Sequence, residues 1–316
     1  MVIRFLKNWT LPVAMLVGAA VYLLFSRIPL LASLKPCVES LVSYLTPSLI
    51  FVMLFVTFCK VSLHDFRLRR WQCWLLLIQF SLSVLLALVL VFYQLSQVME
   101  VSLQAAMVCF ICPTATAAAV ITGKLGGNVS SLILYTILSN LMAAIVVPWL
   151  FPLVEPHEGQ TFLSSFLLIL GKVLPLLICP FISAMLVRRF MPRLLQWILR
   201  VKDLAFYLWA LALAIVVAQT IRSVVNSGAS ISTLLSISCA GLIACCVQFA
   251  CGKIIGGHYA DRISGGQALG QKNTVFAIWM AYTYLLPLSS LGPGSYVLWQ
   301  NLINSWQLWR KRVQSK

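Results

Sequence analysis

An amine and two side-chain amides, Gln271-Lys272-Asn273, sit together inside the apolar stretch SGGQALGQKNTVFAIWMAYTYLLPL, residues 264–288. A lysine in such surroundings has three chemical uses: it attracts an anion, takes the place of a bound cation, or carries a proton. Its structural use is as a brace between helices, or as a side chain that snorkels to the interface. A second polar interruption is CFICPTATAAAVITGKLGGN, residues 109–128, where Pro113 stands between threonines and a run of alanines. Cys109 and Cys112 make a CxxC there, but with no histidine or acidic companion they read as small packing residues. The seven acidic residues, Glu39, Asp65, Glu100, Glu155, Glu158, Asp203 and Asp261, fall in connections or at the ends of apolar stretches, and His64, His157 and His258 fall in connections. Neither paired carboxylates, a His–carboxylate arrangement nor a metal cluster is available at depth, so the chain reads as no enzyme.

The elements that must position these groups follow from composition. At 61% hydrophobic and 9% charged residues, with a mean hydropathy of +0.96, the chain needs lipid around it. Apolar runs recur near 11–26, 42–59, 72–95, 102–123, 129–153, 162–187, 204–221, 230–256, 264–287 and 292–309, about ten spans. With both termini cytoplasmic, 18 of the 23 Lys and Arg residues fall inside and only Arg27, Lys35 and Arg222 outside. Lys172 and Lys272 lie within spans, and Lys172 is placed to snorkel. The net charge of +16 is then a basic belt facing anionic lipid and calls for no nucleic acid. The first 26 residues lack a small-residue cleavage site and read as a retained first helix. The sequons at Asn8 and Asn128 face the cytoplasm. The compact loops suit a multi-pass protein of a bacterial inner membrane, with no protein partner evident.

The acidic connection EPHEGQ (155–160) divides the chain into residues 1–154 and 161–316, five spans each. An odd number per half inverts the second half relative to the first, and the fourth span of each half is the irregular one. The expected architecture is all-α: ten transmembrane helices as two inverted five-helix repeats, with helices 4 and 9 broken and crossing. Pro113 marks the first break; Gly265, Gly266 and Gly270 mark the second. Broken backbone at membrane depth must face protein or a cavity.

At these two stretches the sequence resembles the bile acid:sodium symporter family. CPTATAAAVITGKLGGNVSSL matches that family's Cys-Pro, small residues, Thr, Ser-Asn and basic pattern; ALGQKN sits on its acidic-x-Gly-x-Gln-Asn pattern. LLLIQF ends on Gln79 like the family's Gln-Phe, and WQN (299–301) resembles its Trp-His-Asn. The resemblance implies a core of spans 3–5 and 8–10, a panel of spans 1, 2, 6 and 7, and uptake of bile acid-like or small carboxylate anions. The substrate contacts it implies are Thr114, Thr116 and Ala117 at the first crossing, Asn273 at the second, and Gln300 with Asn301 on span 10. In place of the family's first-sodium Ser-Asn pair stand Ala118 and Ala119, a family serine falls at Leu132 while Thr136 is kept, the acidic residue of span 9 is Ala268, and the second-sodium glutamine is Lys272.

Sodium coupling in the family's manner therefore lacks its ligands, independently of the resemblance, because a hard cation wants several oxygens and usually a carboxylate. Lys272 lies roughly eight residues into its span, about 12 Å by helical rise. Its ammonium is expected to replace the second sodium, held by Gln79 and by carbonyls freed where span 9 unwinds. The function read from the sequence is a secondary active transporter of organic anions by alternating access, sodium-independent or proton-linked, with no cofactor. The rivals are sodium symport through backbone carbonyls with Thr136, Asn140 or Gln271, and a non-transporting membrane sensor. A channel would need a ring of charge or a carbonyl filter, and the sequence offers neither.

Overall fold

The computed structural model describes residues 10–27, 34–59, 67–156, 159–201 and 204–314. Arg4, Lys7, Asn8, Lys60, His64, Asp65, His157, Glu158, Lys202, Asp203 and both ends of the chain lie outside the described residues, as therefore do the expectations placed on them. The described chain is helical: α1 Thr10–Arg27, α2 Lys35–Cys59, α3 Arg70–Phe92, α4 Gln97–Ile111, α5 Ala117–Leu125, α6 Val129–Val154 and α7 Phe162–Phe190. There follow α8 Pro192–Arg200, α9 Leu204–Ser227, α10 Ile231–His258, α11 Arg262–Gly270, α12 Thr274–Tyr284, a 3-10 turn Pro287–Ser290 and α13 Leu291–Gln314.

Each apolar stretch expected from the sequence is occupied by one of these helices, or by a pair of half-helices. Among the described residues six helices (α2, α3, α6, α7, α9 and α10) are long and apolar enough to cross a membrane. Of the rest, spans 4 and 9 are each split, and α13 interleaves Gln300, Asn301, Asn304 and Gln307 with its apolar residues. The sequence did not single out α8, which turns the chain between α7 and α9 with Pro192 at its start.

Polar residues start the helices where the segment pattern changes. Asn128 accepts from Ser131 N at 2.9 Å to open α6, and Ser230 accepts from Thr233 N at 3.2 Å to open α10. Gly126, at φ +82°, closes α5 in the left-handed conformation that its missing Cβ allows. Large apolar side chains such as Leu77, Phe92, Leu163 and Leu186 are exposed, a surface that suits lipid as solvent.

Two corrections to the pattern reading concern what breaks a helix. Pro47, Pro148, Pro152, Pro175 and Pro180 all lie inside continuous helices, whereas Pro113 coincides with the break between α4 and α5. Proline alone therefore is not the signal. Gly265 and Gly266 do not break span 9 either; they lie inside α11, which is pressed against α10. A Cβ on Gly256 would lie 2.7 Å from Asp261 O and 2.9 Å from Gly265 Cα, so bare backbone is what lets the two helices touch. The second break falls at residues 271–273, after Gly270.

One end of this packing is clasped by Asp261. Its carboxylate accepts from Arg69 Nη1 at 3.0 Å, Trp71 Nε1 at 3.1 Å and Ser264 Oγ at 2.6 Å, tying the start of α3 to the α10–α11 turn. Ser264 Oγ also accepts from Asn128 N at 2.8 Å, which brings the α5–α6 turn into the same cluster.

Candidate substrate and coupling site at the helix crossing

The two breaks meet. Residues around Thr114 and Lys272 run antiparallel as an isolated bridge, with Ala115 N donating to Gln271 O at 2.8 Å and Asn273 N donating to Pro113 O at 2.9 Å. Each break leaves amides and carbonyls without a helical partner at a depth where water is scarce, so their pairing is a matter of accounting. Each break supplies part of the other's missing hydrogen bonds. A proline kink in a single helix has no such partner strand.

Side chains satisfy the remaining carbonyls. Gln79 Nε2 donates to Ile111 O at 3.3 Å and Cys112 O at 3.1 Å, and is itself oriented by the Tyr135 hydroxyl, which donates to Gln79 Oε1 at 2.9 Å. Gln248 Nε2 donates to Cys109 O at 3.2 Å, and the Tyr296 hydroxyl donates to Gly270 O at 2.7 Å. Thr114 Oγ1 donates to Ala268 O at 2.6 Å, while Thr114 N donates to Ser139 Oγ at 3.1 Å. The Cys112 thiol donates to Asn273 O at 3.0 Å, a role at the crossing that the sequence did not suggest for it.

Lys272 is 1% exposed. Its Nζ donates to Phe110 O at 3.2 Å and its backbone N to Gln300 Oε1 at 2.9 Å. The ammonium thus lies at the C-terminal end of α4, the negative end of that helix's dipole, where a cation is favoured. Its partner is a carbonyl freed by the first break; Gln79, expected to hold it, holds the neighbouring carbonyls instead. The described acidic residues Glu39, Glu100, Glu155 and Asp261 all lie at helix ends or in connections, and the described residues contain no group of acidic, histidine or cysteine side chains able to hold a metal ion.

Of the residues named from the sequence, Thr114, Gln271, Lys272, Asn273 and Gln300 converge directly. Gln79 joins through the α4 carbonyls. Thr136 joins at one remove, its carbonyl accepting from Ser139 Oγ at 3.1 Å and from Asn140 Nδ2 at 2.7 Å. Thr116 is half-buried at the start of α5 and makes no side-chain cap there, Ala117 beside it is exposed, and Asn273 caps α12 by accepting from Phe276 N at 3.3 Å. Asn301 turns back on its own helix, donating to Val297 O at 2.7 Å. Ser139, Tyr135, Gln248 and Tyr296 were missed, as was the pair in which Gln267 Nε2 donates to Asn304 Oδ1 at 2.9 Å. The available signal was register: Ser264 and Gln267 share one face of α11, and Gln300, Asn304 and Gln307 one face of α13.

Paired half-helices that complete each other's backbone inside an apolar helical body fit a multi-pass membrane protein. The sequence model of the Sodium Bile acid symporter family matches residues 47–227, more than half of the chain, and the chain belongs to that family. That stretch includes the first break and ends before the second. The chain is also similar to a protein described as "Uncharacterized sodium-dependent transporter YocS" of Bacillus subtilis (strain 168), at 25% identity over 213 residues. The similarity spans 65% of this chain and 63% of that relative.

Proposed function

We propose that this protein is a secondary active transporter of organic anions that works by alternating access without the family's sodium sites. On this reading the membrane crossings number ten, in two inverted repeats (1–154 and 161–316), with both termini cytoplasmic in a bacterial inner membrane. Spans 3–5 and 8–10 form a core that moves against a panel of spans 1, 2, 6 and 7. Lys272 supplies a tethered cation where relatives are expected to bind sodium, and proton linkage through the same amine is its coupling option. The positive N-terminal ends of α5 and α12 face the substrate's acidic group, with Thr116, Ala117 and Asn273 beside them and Gln300 and Asn301 across from them.

The observation that carries this is the buried Lys272 amine on Phe110 O, at the position of a sodium-ligand glutamine in the resembling pattern. Ala118, Ala119 and Ala268 offer no side-chain oxygen at the other expected ligand positions.

A second reading, sodium symport, has one observation in its favour: Asn140 Oδ1 and Gln271 Oε1 are buried oxygens without a hydrogen-bond partner. The two readings separate on the melting temperature of purified protein in sodium chloride against choline chloride at matched ionic strength. A ligand at 100 times its dissociation constant adds about 2.7 kcal/mol. Equal melting in the two salts is the outcome expected here. A sodium-specific rise would overturn the tethered-cation reading and make sodium symport the better one.

A further inference from the structure

Helix α13 carries a polar stripe along one side. Tyr296, Gln300, Asn304, Gln307 and Lys311 follow one another at spacings of four, four, three and four residues, one face of a helix. Contacts fix what that face meets. The Tyr296 hydroxyl donates to Gly270 O at 2.7 Å, Gln300 Oε1 accepts from Lys272 N at 2.9 Å, Asn304 Oδ1 accepts from Gln267 Nε2 at 2.9 Å, and Lys311 Nζ donates to Lys124 O at 3.0 Å. The stripe therefore forms a seam between α13, α11 and α5. It runs from the crossing to the end of the molecule that Asp261 clasps, about 16 Å of helix from Gln300 to Lys311.

The seam is buried but not satisfied. Gln267 and Thr122 are 0% exposed and Asn304 3%. The amide pair uses one donor and one acceptor and leaves Gln267 Oε1 and Asn304 Nδ2 without a hydrogen-bond partner; Thr122 Oγ1 and Gln307 Nε2 also have none. Unmet donors and unmet acceptors thus share one narrow interface. Water satisfies such a set because each molecule both gives and takes hydrogen bonds, whereas apolar side chains would have packed the interface without the cost. At the far end Lys124 and Lys311 are exposed to solvent. At the near end, the ionisable side chains closest to the Lys272 amine are Cys109 and Cys112, with Cys245 and Tyr296 beside Cys109. These are thiols and a phenol, with no carboxylate or imidazole among them, so the acceptor for a proton leaving the amine is water.

We propose that this seam holds a file of water through which Lys272 exchanges its proton with the solution at the Lys311 end. The step is an acid dissociation: the Nζ–H bond breaks as an O–H bond forms to the first water, the electron pair stays on nitrogen, and the excess proton passes along the file. Loading is the reverse. Because α5, α11 and α13 belong to spans 4, 9 and 10, the file lies inside the proposed core and does not depend on a gap between core and panel. The inference rests on the reading of Lys272 as the carrier's tethered cation, and adds the path by which that charge is lost and regained.

X-ray radiolysis of the protein in phosphatidylcholine nanodiscs tests the file, because hydroxyl radicals form from the water itself and oxidise aromatic rings beside it. Tyr296 and Tyr135 are both 0% exposed, but Tyr135 lies in an apolar cluster with Trp71, Leu75 and Leu132. In wild type Tyr296 is oxidised faster than Tyr135; equal rates overturn the file with no variant needed. Gln267→Leu combined with Asn304→Leu removes both members of the amide pair, a change that strands neither partner. It brings Tyr296 down to the rate of Tyr135, and unaltered oxidation overturns the placement of the water in the seam. The proton is followed by NMR of protein with isotope-labelled lysine Nζ, the Lys272 signal being assigned by its loss in Lys272→Met. Saturating the water resonance attenuates that signal in wild type and not in the double variant; equal attenuation in both overturns the proton route. None of these readouts is transport. A Lys272→Met protein that still concentrates an organic anion removes the tethered cation and leaves the file standing, whereas a dry Tyr296 removes the file and leaves the tethered cation standing.

Discussion

Lys272→Met keeps the length of the side chain and removes its charge. A lysine at the centre of a span costs about 2.5–3.5 kcal/mol on insertion scales. The Nζ bond to Phe110 O, as a hydrogen bond to a charged group, returns about 1.5–3 kcal/mol. The wild-type balance thus runs from near zero to about 2 kcal/mol unfavourable. Methionine removes both terms and leaves the Phe110 carbonyl without this donor, at a cost of about 1–3 kcal/mol. The contributions partly cancel, so the expected change in stability runs from about 1 kcal/mol of gain to about 3 kcal/mol of loss. Function is expected to fall in either case: one charge-assisted contact to an anion is worth about 1.5–3 kcal/mol, roughly tenfold to more than a hundredfold in affinity. The melting curve is read from the fluorescence of the ten tryptophans, and transport from accumulation in vesicles of an organic anion that wild type concentrates. A brace gives the opposite pattern: stability falls while uptake survives. A methionine variant that melts far lower yet still concentrates the anion would refute the tethered cation.

Gln79→Leu removes the donor to Ile111 O and Cys112 O and the acceptor of the Tyr135 hydroxyl; a loss of about 2–4 kcal/mol is expected on thermal unfolding, because three buried groups lose partners together. Gly265→Val should lower the melting temperature sharply, since a Cβ there would meet Gly252 O at 2.5 Å and Gly256 Cα at 2.8 Å, backbone atoms that cannot turn aside. Gly171→Ala on α7, where a Cβ meets nothing within 4 Å, is the matching control, expected to be neutral or stabilising by up to about 1 kcal/mol.

The helices were legible because lipid imposes a coarse rule: apolar runs of span length must be helical, and departures from that rule are few enough to notice. Both irregular stretches were found this way, and Lys272 with them. The rest depended on partners distant in sequence. Whether Pro113 breaks its helix is decided by the strand at residues 271–273 that pairs with it, while Pro148 and Pro180 sit in helices that stay continuous. Gly265 looked like a hinge because flexibility and close approach have the same sequence signature; only the facing Gly252 and Gly256 decide for packing. Tyr135 and Ser139 read as ordinary members of an apolar span, because their partners lie far back in the chain: Thr114 N donates to Ser139 Oγ, and the Tyr135 hydroxyl donates to Gln79 Oε1.

On the proposed reading, exchanging a bound sodium for Lys272 changes the energetics of transport as well as its ligand list. A mobile ion enters from one side and leaves on the other, so each cycle draws on the ion's gradient; a tethered ammonium returns with the protein and contributes nothing to the net driving force. It still attracts the anion, and it makes the empty site the costly state, since the charge then has only the Phe110 carbonyl and the α4 dipole to offset its burial. A carrier built this way has two routes to net work: to exchange one anion for another, so that the site crosses occupied in both directions, or to let Lys272 release its proton before the empty site reorients. In the second case the proton gradient takes the place of the sodium gradient. The same side chain then serves as binding group and coupling group, and Lys272→Arg, which keeps a positive charge but cannot release a proton, is the variant that separates the two roles.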